Sequence, residues 1–288
     1  MRKSLSDKAF DTVIYTVLVI LCLITLYPFV YTFILSFLPI GITGLDAKSI
    51  ISNLNTATWQ LILNSSYMWV GFKNSVFRTI AATAISIIIT ITMAYPLSKK
   101  DMIFGKFINS LLALTMVLGA GIIPTYLLMK YLHILDTFWV LVIPGAVNVF
   151  NIMVMRNYFS SIPDAIEESA KIDGANDILI LFRIVVPLSL PTIATILLWL
   201  LVENWNSWFD VVMYINSRNK YLLPAILQEM LSNQEVESSF KQTNGLVQPV
   251  GDSLKAATTI FTMIPILLVY PFLQKYFAAG VMIGAVKG

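Results

Sequence analysis

Five stretches of this chain run for a membrane's thickness without a single Asp, Glu, Lys, Arg or His. They are Thr79–Ser98, Phe107–Met129, Thr137–Met155, Ile184–Val202 and Ala256–Gln274, each of 19 to 23 residues. A sixth charge-free run, Thr12–Leu45, is longer. A helix rises 1.5 Å per residue, so about 20 residues cross roughly 30 Å of hydrocarbon. Lipid offers no partner to a backbone N–H or C=O, and the spans should therefore be helices. The alternating ten-residue segments of a membrane β-barrel are absent. The pattern predicts an all-α integral membrane protein of six transmembrane helices.

Composition agrees: 57% of the 288 residues are hydrophobic and 12% charged, about half the charge of a soluble domain. A net charge of +3 gives no case for nucleic acid as a partner. The one cysteine, Cys22, lies in the first apolar run and allows no internal disulfide. That run is too long for a signal-peptide core and has no small-residue cleavage site, so a retained span over 12–38 is expected. His133 stands alone, with no cysteine or carboxylate at ligand spacing, so no metal site is expected.

Lysines and arginines near the span ends set orientation. With the N-terminus (residues 1–11) in the cytoplasm, eleven of nineteen lie on the inner side, three of them in the nine residues SKKDMIFGK. Both termini, the second being a tail over 277–288, would then be cytoplasmic. Long external segments would fall at 39–73 and 205–255, the second including the amphipathic stretch LPAILQEMLSNQEVE. Pro28, Pro124, Pro144 and Pro265 fall within spans, where proline bends or breaks a helix and can line a path.

Between the fourth and fifth runs the chain reads SSIPDAIEESAKIDGANDILILFRIVVPLSLP. Ser161 and Asp164 stand at the spacing of a capping box. Asp164, Glu167 and Glu168 suit a helix N-terminus, and Glu167 can pair with Lys171 one turn on. Gly174 can end this helix in the left-handed conformation, Asp177 can cap a second, and Pro187 precedes the fifth span. Two readings fit: a linker resting on the membrane, or a bent acidic knob docking into a basic protein cleft. Surface-resting helices usually carry Lys and Arg on their polar face, which favours the second.

The spacing E168-S-A-x-x-x-G174-x9-I184-x-x-P187 resembles the EAA loop of bacterial ABC importer permeases, and the wider EESAKIDGA…FRIVVPLSLP resembles the maltose-type, carbohydrate-carrying branch. NSVFRTIAATAISIIITITMAYPLSKK, GIIPTYLLM, PGAVNVFNIMVMRNYFSSIP and the terminal AAGVMIGAVKG extend the likeness over most of residues 74–288. Ser169 and Val186 depart from the usual alanine and leucine. The resemblance implies a permease transmembrane domain over 74–276 with a cytoplasmic coupling loop at 161–187. That loop would dock on an ATPase subunit through Glu167, Glu168, Ser169, Ala170, Asp173, Gly174, Ala175 and Pro187, and the C-terminus would reach it through Val286, Lys287 and Gly288. It also implies a second homologous permease forming a heterodimer, two cytoplasmic ATPases carrying ATP and magnesium, and an external solute-binding protein. The inner membrane is the implied location. Oligosaccharides, including plant or algal polysaccharide fragments, are the implied cargo.

The chain itself has no Gly-x4-Gly-Lys-Ser/Thr phosphate loop, so no nucleotide cofactor and no catalytic residue is expected in it. For the substrate path, Arg78 and Glu203 are charges near span ends, either functional or snorkelling to the interface. The stretch ENWNSWFD offers Asn204, Trp205, Asn206 and Trp208, suited to sugar rings and hydroxyls but equally to an interfacial aromatic belt. An ATP-independent secondary transporter or channel is the alternative, though internal repeats and coupling charges within spans are missing. An intramembrane hydrolase would need a catalytic pair at membrane depth, and none stands there.

Overall fold

The computed structural model describes residues 5–38, 54–232 and 251–285, with side chains for those between 10 and 271. The chain divides into two compact units, Met1–Trp69 with Leu227–Ile264, and Val70–Ile226 with Pro265–Gly288. Among the described residues every regular element is helical.

The first unit begins with α1, Leu5–Leu35. Its large apolar side chains are exposed on every side from Phe10 to Tyr31, as expected of a helix whose solvent is lipid. Past its end, Ser36 and Leu38 are buried against α2, Ala57–Asn64. Trp59 Nε1 donates to Ser36 Oγ at 3.2 Å, Thr58 Oγ1 to the Leu38 carbonyl at 3.3 Å, and the Phe37 and Trp59 rings lie 5.8 Å apart. Residues 39–53 of the expected external loop lie outside the described residues.

The second unit is built along α3, Ser66–Ser98, whose residues from Val70 onward belong to it. There follow α4 (Gly105–Val117), α5 (Ile122–Tyr131), a 3-10 turn Phe138–Leu141, α6 (Val149–Phe159) and α7 (Asp164–Ile172). Next come α8 (Asp177–Leu188), α9 (Leu190–Asn206) and α10 (Phe209–Tyr214). Helix α11, Leu223–Ser232, and helix α12, Asp252–Ala285, follow, of which residues 227–232 and 252–264 belong to the first unit. Helix α11 covers the start of the expected amphipathic stretch, whose last residues lie outside the described ones along with the rest of 233–250. Helix α12 continues to Ala285, so residues 277–285 extend the last helix.

Three described segments are long and apolar enough to cross a membrane: Phe10–Leu35, Ser66–Ser98 and Asp252–Pro271. Two more pass only as bent pairs, α4 with α5 at 110° and α8 with α9 at 83°. Six uninterrupted spans are therefore not what the described residues form. Gly121, at φ +80°, supplies the left-handed residue that the first break needs. At the second, Ser189 is buried, its Oγ donating to the Val185 carbonyl at 2.7 Å. Pro191, just past it, has no N–H with which to continue the ladder. A π turn at Leu181–Val185 lies where Pro187 withholds the N–H that Arg183 would accept. The expected fourth span, Thr137–Met155, is not one helix either. Pro144 and Gly145 break it, and the chain becomes helical again only at Val149, where the Asn148 side chain accepts from Asn151 N at 3.1 Å.

The core of this unit joins α3, α6, α7, α8 and α9. Tyr95 and Leu97 meet Met155, Phe159, Ile180 and Ile196 there.

Candidate functional site

The loop between α6 and α9 is built as a bent pair of helices. Ser161 does not cap α7; its Oγ donates back to the Tyr158 carbonyl at 2.6 Å, finishing α6, and Pro163 takes the N-cap position. The expected capping box thus fails, because the residue meant to start one helix is used to end another. Gly174, at φ +82°, makes the turn, with Ala175 N donating to the Ala170 carbonyl at 2.9 Å. The turn leaves Asn176, not Asp177, in the extended conformation of an N-cap, and its side chain accepts from Leu179 N at 2.8 Å. Asp177, one residue in, instead faces Lys171 at 3.4 Å. Lys171 is consequently not the partner of Glu167.

Glu167 turns the other way. Its Oε2 accepts from the Tyr95 hydroxyl at 3.2 Å and from Lys99 Nζ, which also lies 4.1 Å from the centre of the Tyr95 ring. Arg156 Nε donates to the Leu97 carbonyl at 2.9 Å and Ser160 Oγ to that of Ser98 at 3.3 Å. A polar cleft of about 230 Å³ lies here, with Lys99, Lys100, Asp164, Glu167, Glu168 and Lys171 on its walls. Lys100 and Asp164 meet at 2.7 Å on its rim. Their hydrogen bond and charge raise the ammonium's pKa and lower the carboxyl's. Both are solvated, so the pair contributes little to stability.

Two expected docking residues therefore point into this chain rather than out of it. Glu167 is moored to α3, and Ala170 is buried in the core cluster, because α7 needs a small residue where it lies on that core. Glu168, Ser169, Asp173 and Gly174 are exposed, as is Pro187, while Ala175 is half-buried. Beside them Ile172 is 87% exposed, a large apolar side chain that α7 itself leaves uncovered. Sequence reasoning did not single out Ile172; its isolation among charges at the helix end was the signal. Val286, Lys287 and Gly288 lie outside the described residues.

The other end of α3 carries a second polar cluster. Arg78 is 5% exposed, so it does not snorkel. Its Nη2 lies 2.7 Å from Asp210 Oδ2, its Nε donates to the Leu141 carbonyl at 3.1 Å, and its Nη1 donates to the Asn204 carbonyl. A buried guanidinium requires such partners, and its planar fork can hold three at once. Arg78 is accordingly a clamp between these three groups. Asn204 Nδ2 donates to Thr83 Oγ1 at 3.3 Å, a packing role as well. Trp205 is buried, edge-to-face with Phe72 at 6.2 Å, beside an apolar cavity of about 180 Å³ lined by Val76, Leu198, Val202 and Pro265. Trp205 lies in the last turn of α9, whereas Trp208 stands past the end of that helix, just before α10. Glu203, Asn206 and Trp208 remain exposed, and Trp208 stands at 5.7 Å and 86° to Phe209.

Asp136, at φ +54°, is a further organising residue that sequence reasoning missed. Its Oδ1 accepts from Asn216 N at 3.1 Å and Ser217 N at 3.0 Å, and its Oδ2 from Ser217 Oγ at 2.5 Å and Lys220 Nζ at 3.1 Å. Among the described residues no group of three His, Cys, Asp or Glu gathers to hold a metal ion.

Residues 75–283 match the family described as binding-protein-dependent transport system inner membrane component. The chain is 35% identical to the polygalacturonan/rhamnogalacturonan transport system permease protein YtcP of Bacillus subtilis, covering 99% of this chain and 100% of that one. It is 41% identical to the Bacillus subtilis protein LplC over 74% of this chain and 72% of that one. Its fold is similar, at a TM-score of 0.83 and 31% identity, to a chain in the crystal structure of a bacterial ABC transporter involved in the import of the acidic polysaccharide alginate. The match covers 96% of this chain and 99% of that chain.

Proposed function

This chain belongs to the family of binding-protein-dependent transport system inner membrane components, and from that premise we propose that it is one permease half of an ATP-driven importer of oligosaccharides. The observation that carries this reading is the bent, acidic α7, moored to α3 through Glu167 while Glu168, Ile172 and Asp173 are turned to solvent. A helix held from behind and free in front is suited to receive a push from another protein. The pusher would be a cytoplasmic ATPase subunit bearing ATP and magnesium, two of them serving this chain and a second homologous permease. A solute-binding protein would deliver the cargo on the opposite side, where Glu203, Asn206 and Trp208 are exposed. Both termini and α7 would then be cytoplasmic, with Lys99 and Lys100 on the inner side.

The likeness to the permease YtcP and to the alginate importer supports a narrower cargo: fragments of acidic polysaccharides. Uptake of labelled oligogalacturonides by cells with and without this chain tests it, maltodextrin serving as the neutral control. Expected is uptake that needs the chain, stops when ATP is depleted and survives a protonophore. Uptake that collapses with the proton gradient while ATP remains would instead make the chain a secondary transporter.

A further inference from the structure

We propose that α3 is the transmission rod of this permease, gripped at one end by the coupling helix and at the other by the turn that presents Trp208. The inference rests on the function proposed above. Its basis is that one element collects polar ties at both of its ends. At the Lys99 end, Tyr95 and Lys99 hold Glu167 of α7, and the carbonyls of Leu97 and Ser98 accept from Arg156 and Ser160. At the far end Arg78 holds Asp210 and the Asn204 carbonyl, while Ser75 Oγ accepts from Leu223 N at 2.8 Å. Asn74 Nδ2 adds bonds to the carbonyls of Asn219 at 2.9 Å and Tyr221 at 3.1 Å.

Arg78 and Tyr95 stand on one continuous helix, about 25 Å apart at 1.5 Å per residue. The clamps share no side chain; α3 joins them as one unbroken helix, whereas the other route from α7 to residue 204, through α8 and α9, is bent by 83°. A packed helix moves as a body, whereas the bent pairs α4/α5 and α8/α9 can absorb motion at their breaks. Displacing α7 therefore moves Lys99, α3, Arg78 and the turn of residues 204–210 together. Arg78 is a positioning residue in this account: it touches no cargo and sets where Trp208 stands.

The test is a double-mutant cycle in the assembled transporter, reconstituted in vesicles with its solute-binding protein. The readout is the ratio of ATP hydrolysis with loaded binding protein to hydrolysis without it. Glu167→Gln cuts the near clamp and Asp210→Asn the far one. Each should lower the ratio about fivefold, within the usual range of coupling between sites. The double variant should fall no further than the worse single variant. Mutations this distant without shared partners act independently, so a double loss of about 25-fold, the product of the two, overturns the proposal. So does an unchanged ratio in either single variant. Arg78→Lys keeps the charge but loses the fork that holds two carbonyls, and it carries the same expectation if Asp210→Asn does not assemble. If neither assembles, the far clamp serves folding and not coupling, and the proposal fails. Absence of ATP-dependent uptake by the unaltered complex would count against the function itself, a distinct result.

Discussion

The Asp136 carboxylate accepts from both the backbone N–H and the hydroxyl of Ser217, at 3.0 and 2.5 Å, and so pins the turn after α5 to the segment after α10. Those two hydrogen bonds, with Lys220 and Asn216 behind them, hold its carboxyl well below the usual carboxylate range. A depressed folded value means the stabilisation is complete above the unfolded carboxyl's pKa of about 4 and declines as pH falls from there toward the folded value. Asp136→Asn preserves the tolerance for positive φ but loses the charge. It should destabilise the protein by about 1 kcal/mol at pH 7, and the difference should shrink below about pH 4. Melting in detergent across pH reads both. A deficit that stays constant into acid would contradict the assignment.

At the opposite cluster, Tyr95→Phe removes one of two donors to Glu167 and should cost about 1 kcal/mol. Glu167→Ala should cost more, since it leaves Lys99, whose side chain is 26% exposed, without its carboxylate. Hydrogen exchange over residues 164–172 should accelerate in both, more in the second. Equal protection in all three proteins would show that Glu167 does not moor α7.

A Cβ built on Gly174 meets nothing within 4 Å, so the penalty for substitution there comes from φ alone. Gly174→Val should cost about 1–2 kcal/mol and detach the bend. Gly174→Asn should be milder, because asparagine tolerates the left-handed region. Co-purification with the ATPase partner should follow that order. If valine is as well tolerated as asparagine, the turn is not what positions α7.

The two tryptophans should behave differently. Trp205→Ala opens a space beside an existing apolar cavity and should lower stability by about 3 kcal/mol. Trp208→Ala should leave yield and melting unchanged and reduce cargo affinity about tenfold, roughly 1.4 kcal/mol. Equilibrium binding of oligogalacturonides to the reconstituted complex is the measurement. Unaltered affinity removes Trp208 from the path.

Much of the fold was legible because lipid enforces simple rules. Charge-free runs marked α3 and α12, and Pro144 marked the break that splits the fourth run. Gly174 announced its own turn, since few other residues accept a positive φ. The partners of charged side chains were less legible. Glu167 and Lys171 have ideal spacing for a pair along one helix, yet Glu167 is taken by Lys99, 68 positions away, and Lys171 by Asp177. Arg78 was visible as a charge near a span end and Asp210 closes the stretch ENWNSWFD, but nothing local says that they meet across 132 positions. Within a helix, spacing states which groups can touch; it does not state which competitor the rest of the chain brings nearer.

The sequence by itself determined the solvent, the helical class, the bend at residue 174 and the family to which the chain belongs. These follow from backbone satisfaction in lipid, from the steric limits on φ and from residue patterns at fixed spacing. Only the tertiary structure decided that Glu167 and Ala170 face inward while Glu168 and Ile172 face out, and that Arg78 and Trp205 are packed away. A helix has the same periodicity whichever face is covered, and which face that is depends on neighbours far along the chain.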